Sequence, residues 1–232
     1  MMSIFRDIRL CAFDFDGTLV DSYSCLPDIW IKIGQRLGVS TSNALLFLRE
    51  ALRGEDEADK KEIFDRSHVA LNALKRIGVR YDKDIRFVNG LYWSLRVKSS
   101  RVQPCAHELL RYLKEKEIAV ACVSGSDGVN SFKKLRIRLS GLERYFDEII
   151  VAGEDVKSKV EGLESLARRY KLRPSEILLI DDKPKPISEA IKAGFKTVKV
   201  DFKGPLRLGW ESESTCKPKL TVGSLCELLM LV

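Results

Sequence analysis

Five short stretches of the chain read as β-type runs, several of them apolar almost throughout: Leu10 to Phe13, Ile118 to Val123, Glu148 to Ala152, Ile177 to Ile180 and Thr197 to Val200. A strand with one face in water alternates polar and apolar residues, whereas one covered on both faces reads as a continuous hydrophobic run. Between these runs lie patterns of helical period, at Ala106 to Glu117, Val129 to Leu139, Lys159 to Tyr170 and Ile187 to Ala193. Gly194 supplies a C-terminal stop for the last of them. Strand and helix in alternation predict an α/β domain built on a parallel sheet. The stretch from Asp201 to Lys219 reads as irregular, with a last strand at Leu220 to Val222 and a helix at Ser224 to Leu231.

From Ser22 to Arg101 no strand-like run occurs, and the pattern is that of four or five amphipathic helices. Leu45, Leu48 and Leu52 suggest one buried face, and Ile63, Val69, Leu71, Leu74 and Ile77 another, with breaks at Gly38, Gly54 and Gly78. This predicts an all-helical insertion, residues 22–101, in a core formed by residues 1–21 and 102–232. Pro27 and Pro104, near its ends, mark where a hinge would fall.

Composition is that of an ordinary folded chain: 232 residues, 45% hydrophobic and 31% charged. The N-terminus lacks the apolar stretch of a secretory signal, and no run approaches a membrane span, so a cytoplasmic protein without membrane attachment is expected. Six scattered cysteines without a C-x-x-C pair read as buried structural thiols and not as a zinc site. Cys105, Cys216 and Cys226 are the ones a disulfide would involve in a hyperthermophile. The formal net charge of +7 suits an anionic substrate. Most Lys and Arg nevertheless alternate with acids at helical spacing, as on a solvated face, and no nucleic-acid reading motif accompanies them.

The most informative run is Cys11-Ala12-Phe13-Asp14-Phe15-Asp16-Gly17-Thr18-Leu19-Val20-Asp21-Ser22. An apolar strand ends here in two acids one residue apart, where alternation would aim both beyond the carboxyl edge of the sheet, the ligand-binding edge of open α/β folds. Two neighbouring carboxylates repel, and a hard, oxygen-seeking cation such as Mg²⁺ would relieve them. A second apolar strand ends in Ser124-Gly125, a hydroxyl and a residue that lets backbone approach an anion. A lysine precedes the helix ending at Tyr170, where both Lys157 and Lys159 qualify, and paired acids follow further on. Those acids are Asp181-Asp182, again at the end of an apolar strand.

In that order the four segments resemble the motifs of the haloacid dehalogenase superfamily, D-x-D-G-T-[LV] first. They are most similar to its phosphatase branch with a helical cap, the phosphoglycolate phosphatase and β-phosphoglucomutase type. The resemblance implies a Rossmann-like core with Asp14 as nucleophile and Asp16 as general acid and then base. It further implies phosphate contacts from Thr18, Ser124, Gly125 and Lys159, and Mg²⁺ held by Asp14, Asp16, Asp181 and Asp182. Pro186 stands where many members have a further Asp, which shifts metal support onto Asp181. Dehalogenases lack the second acid of the first motif, so retention of Asp16 implies an oxygen leaving group. The substrate expected is a small phosphorylated metabolite. Transfer back to a sugar, as in a phosphosugar mutase, and non-catalytic phosphate binding are the alternatives. The cap side chains Lys32, Arg49 and Arg53 read as solvated, and Trp30, Tyr92 and Trp93 as core.

Overall fold

The computed structural model describes residues 4–61, 63–201 and 217–231. These group into two compact units, one formed by the chain through Asp21 and from Arg101 onward, the other by Ser22–Ser100.

The first unit is a six-stranded parallel sheet flanked by helices. Its strands are β1 (Leu10–Phe13), β4 (Ala119–Gly125), β5 (Glu148–Ala152), β6 (Ile177–Asp181), β7 (Lys196–Val200) and β8 (Leu220–Val222), in the order β5-β4-β1-β6-β7-β8. A short antiparallel ribbon, β2 (Val20–Asp21) on β3 (Arg101–Val102), lies where the chain leaves this unit and returns to it. The four residues of β1 and the five of β6 are all buried, as runs apolar on both faces require. One face packs Cys11, Phe13, Cys122 and Ile180 against Leu109, Leu110 and Leu113 of α5 (Ala106–Glu115). The other packs Leu10, Ala12, Val123 and Leu179 against Leu163 and Leu166 of α7 (Lys159–Tyr170) and Ile187 of α8 (Pro184–Lys192). Register sets Phe13 beside Cys122 on one side and Ile180 on the other, so β6 ends one residue beyond β1, while β4 runs three residues further, to Gly125. Helix α6 (Phe132–Leu139) follows β4, and α9 (Leu225–Leu229) ends the described chain.

The expected strands and crossover helices appear within a few residues of their sequence bounds. In the tail Leu220–Val222 is a strand, and residues 202–216 lie outside the described residues. Cysteine chemistry differs as well. Cys105, at the N-cap of α5, is joined to Cys226 of α9, so these two are not free thiols, whereas Cys11 and Cys122 are free and buried. Cys216 lies outside the described residues.

In the second unit α1 (Leu26–Arg36), α2 (Ala44–Lys60), α3 (Arg66–Arg76) and α4 (Phe87–Ser99) pack in sequence, and α4 returns onto α1. Trp30, Phe47 and Tyr92 form its aromatic centre, with Trp30 5.6 Å from Tyr92 and 6.4 Å from Phe47 between ring centroids. Two expectations are corrected here. The buried face of α2 is Phe47, Ala51, Gly54 and Ala58, not Leu45, Leu48 and Leu52, and Leu45 is 77% exposed. Gly54 is no break; it sits inside α2, where a Cβ would stand 3.0 Å from Val69 of α3. Beside the aromatic centre, Glu55 accepts hydrogen bonds from Arg66 Nε (3.0 Å) and the Tyr92 hydroxyl. Pro27 occupies the first turn of α1, a position that spares an unpaired N–H.

Candidate active site

The ladder of β1 stops at Phe13, but the Asp14 N–H still donates to the Ile180 carbonyl at 2.9 Å, which fixes Asp14 at the carboxyl edge of the sheet. The chain then turns: the N–H groups of Leu19 and Val20 both donate to the Phe15 carbonyl, and Gly17 takes φ 78°, a left-handed conformation that a side chain would strain. Thr18 is fully buried in this turn, and its hydroxyl has no hydrogen-bond partner among the described residues.

Asp181 ends β6 next to Asp14. Its Oδ1 accepts the Lys183 N–H at 2.8 Å and its Oδ2 accepts Lys159 Nζ at 2.6 Å. Lys159 also lies 3.0 Å from Asp14 Oδ1, so one ammonium bridges two strand ends. The start of α7 places it there. The Ser158 side chain caps the helix through the Glu161 N–H, and the Glu161 carboxylate accepts the Lys157 N–H, which makes Lys159 the first helical residue. One turn on, Gly162 lets the helix lie close on the sheet, because a Cβ there would stand 3.2 Å from both Ile150 and Val123. Lys157, the other motif candidate, is exposed.

Burial works against charge on Lys159, but Asp14 and Asp181 more than offset it and hold the ammonium protonated well above the usual lysine range. The Asp181 carboxyl is raised as well, to about 6: burial raises it, Lys159 opposes the rise and Asp14 adds to it. Carboxylate oxygens of Asp14, Asp181 and Asp182 all lie within 4.8 Å of one another, and the three residues are buried. An all-oxygen set of acids this close fits a hard divalent cation, which would relieve their mutual repulsion.

Ser124 and Gly125 close β4, the neighbour of β1 on the other side. Ser124 is buried, and a Cβ at Gly125 would meet nothing within 4 Å, which leaves open space beside the backbone there.

Asp16 is placed differently from its expected position in the acidic group. With β1 ended at Phe13, strand alternation does not carry through the turn, and the Asp16 carboxylate is taken up by two cations of α6. Oδ2 accepts Lys133 Nζ and Arg136 Nη1, and Oδ1 accepts Arg136 Nη2. Asp127 shares both: Arg136 Nη1 is 3.0 Å from each of its oxygens and Lys133 Nζ is 2.9 Å from Oδ1. All four residues are buried, and the cations lie 5.4 Å (Arg136) and 5.8 Å (Lys133) from the Phe15 ring centroid. Sequence reasoning missed Asp127, Lys133 and Arg136. The signal was their spacing, because Lys133 and Arg136 share the face of Ile137, the inward apolar residue of α6.

The ends of β1 and β6 and the start of α7 thus bring together a buried carboxylate, a fixed ammonium and paired acids at the edge where α/β enzymes bind ligands. That is the site of an enzyme, not of a passive scaffold, and it lies within a chain stretch with known relatives. Residues 8–194 match the model of the haloacid dehalogenase-like hydrolases, and the chain belongs to that family. It is similar to the phosphoglycolate phosphatase of Chromobacterium violaceum, at 23% identity over 98% of this chain and 97% of that one. A phosphoserine phosphatase of Campylobacter jejuni subsp. doylei is 28% identical over 82% of this chain and 86% of its own length. In structure it resembles the hydrolase YfnB of Bacillus subtilis, solved with magnesium bound. The TM-score is 0.70 at 19% identity, covering 97% of this chain and 98% of that one. These relatives place the chain among the phosphoric monoester hydrolases of the superfamily. No helix among the described residues is long and apolar enough to cross a membrane.

Proposed function

We propose that the protein is a Mg²⁺-dependent phosphohydrolase that cleaves a small phosphate monoester through an aspartyl-phosphate on Asp14. The observation that carries this reading is the contact of one buried ammonium, Lys159, with both Asp14 and Asp181, in a group of acids that also includes Asp182.

The Asp14 carboxylate attacks phosphorus, and the bond to the leaving oxygen breaks with its electron pair on that oxygen. Asp16, entering the cycle protonated and turned away from its cations, gives that proton to the leaving oxygen. Water then attacks the phosphorus of the aspartyl-phosphate, its proton passes to Asp16, and the bond to Asp14 breaks to restore the carboxylate. Lys159 holds a positive charge against the phosphoryl oxygens throughout. Ser124, Gly125 and Thr18 offer hydroxyl and backbone groups to the same oxygens. Asp14, Asp181 and Asp182 would hold the cation, whose contribution is to neutralise charge on the transferring group. The substrate class drawn from the relatives is a small phosphorylated acid, of the phosphoglycolate or phosphoserine kind.

The test is release of inorganic phosphate from a panel of esters that includes both compounds, with and without Mg²⁺. Activity should require the metal and fall at least 10³-fold in Asp14→Asn. Borohydride reduction during turnover should convert Asp14 to homoserine. Release by Asp14→Asn at the wild-type rate would exclude the mechanism.

A further inference from the structure

Both steps assigned to Asp16 need one of its oxygens uncovered, yet both are held by buried cations. We infer that Asp127, Lys133 and Arg136 form a positioning set that holds the Asp16 carboxylate and, through Asp127, allows its release. This rests on the reading of Asp14 as nucleophile and Asp16 as its proton carrier, and concerns what lets Asp16 move.

The geometry gives the reason. Lys133, Arg136 and Asp127 are each no more than 4% exposed, so water has little access to replace a departing carboxylate. Were Asp16 the only acceptor, swinging it toward a phosphoryl group would strand two buried cations, a costly state. Asp127 removes that obstacle, because it already accepts from Arg136 Nη1 through both oxygens and lies 2.9 Å from Lys133 Nζ. The Phe15 ring, facing both cations, further supports their charge. When Asp16 turns away, the cations keep one full carboxylate partner and an aromatic face. When it returns, they fix it by both oxygens. Asp127 thus touches no reacting atom in this scheme; it sets how tightly Asp16 is held.

Asp127→Asn removes the second carboxylate that the two cations share and should tighten their hold on Asp16. p-Nitrophenyl phosphate separates the steps, because its leaving group departs without a proton while hydrolysis of the aspartyl-phosphate still needs Asp16 as base. The variant should release a burst of nitrophenolate close to one equivalent of enzyme, followed by turnover at least tenfold slower than wild type. On an alkyl phosphate it should lose at least tenfold in kcat with KM within about threefold. Because Asp127→Asn unbalances a buried cluster, Lys133→Met/Asp127→Asn serves beside it. That pair leaves Asp16 and Arg136 as an ion pair without the competing Asp127 carboxylate, and the same burst and slow turnover are expected. The inference is overturned if a folded variant turns over alkyl phosphates within twofold of wild type. Slowing of all substrates without a burst overturns it as well, as does failure of both variants to fold, which would make the cluster purely structural. A wild-type protein inactive on every ester would instead refute the phosphatase mechanism itself.

Discussion

Lys159 joins two acids that repel each other, and its removal tests both the electrostatics and the chemistry of the site. In Lys159→Met the buried carboxylates of Asp14 and Asp181 lose their shared cation; breaking a buried pair in this way costs about 3–5 kcal/mol. Thermal unfolding should therefore drop, and Mg²⁺ should recover part of the loss by taking over the neutralising role. Activity should not recover with it: kcat is expected to fall on the order of 10²–10³-fold, the usual effect of removing one preorganised charge partner. Lys157→Met, at an exposed position, should leave kcat within about twofold. Equal loss in both variants would move the chemistry away from the Lys159 ammonium. At this scale the acids at strand ends were legible because chemistry requires them in a pattern that periodicity also marks. Lys133 and Arg136 were not, because a lysine or arginine in a helix reads as solvated unless a buried acid elsewhere in the chain is known to face it. The faces of α6 are the reverse of the usual rule, with Leu135 and Leu139 exposed and two cations inside.

Elements built on large apolar residues were equally legible, whereas those built on small ones were not. The strands β1, β4 and β6 announce themselves by runs of residues buried on both faces, while β5 and β7 are buried only in part. Helix α2 misleads, since counting leucines picks Leu45, Leu48 and Leu52, but close packing on α3 selects the stripe Phe47, Ala51, Gly54 and Ala58. A glycine in mid-helix normally weakens it by about 1 kcal/mol relative to alanine. Here its missing side chain is what lets Val69 approach, so the loss in propensity is offset by packing. Gly54→Val should therefore destabilise the protein by about 1–3 kcal/mol through overpacking, despite removing a glycine. Leu45→Gln, on the exposed face, should change stability by less than about 0.5 kcal/mol. Reversible denaturant unfolding of the two variants decides which face α2 buries; a neutral Gly54→Val with a costly Leu45→Gln would reverse the assignment.

Across the whole molecule, the alternation of strands and helices gave the parallel sheet and the stretch without strands gave the helical unit, because both follow from local pattern. Long-range covalent closure does not, since spacing alone cannot say which cysteines meet. Cys105 and Cys226 are separated by 121 residues in sequence, and their bond ties the start of α5 to α9. The loop so closed contains β4, β5, β6, β7 and β8, most of the sheet that carries the proposed site. A cross-link of that span restricts the unfolded chain strongly, by about 4–5 kcal/mol in the loop-entropy account. Cys226→Ser, or reduction of the wild type, should lower the free energy of unfolding by up to about that amount and lower the melting temperature with it. The acids of the proposed site lie at or just beyond the ends of β1 and β6, whose ladder does not pass through the disulfide, so phosphate release at moderate temperature should be retained after reduction. Cys11 and Cys122 should stay unmodified by alkylating agents in the folded protein, because burial pushes both thiols far above the ordinary range. Unfolding curves with and without reductant, read beside alkylation of the native state, separate the contributions. A reduced protein as stable as the oxidised one would mean that packing of α9 on α5 alone holds the C-terminal helix in place.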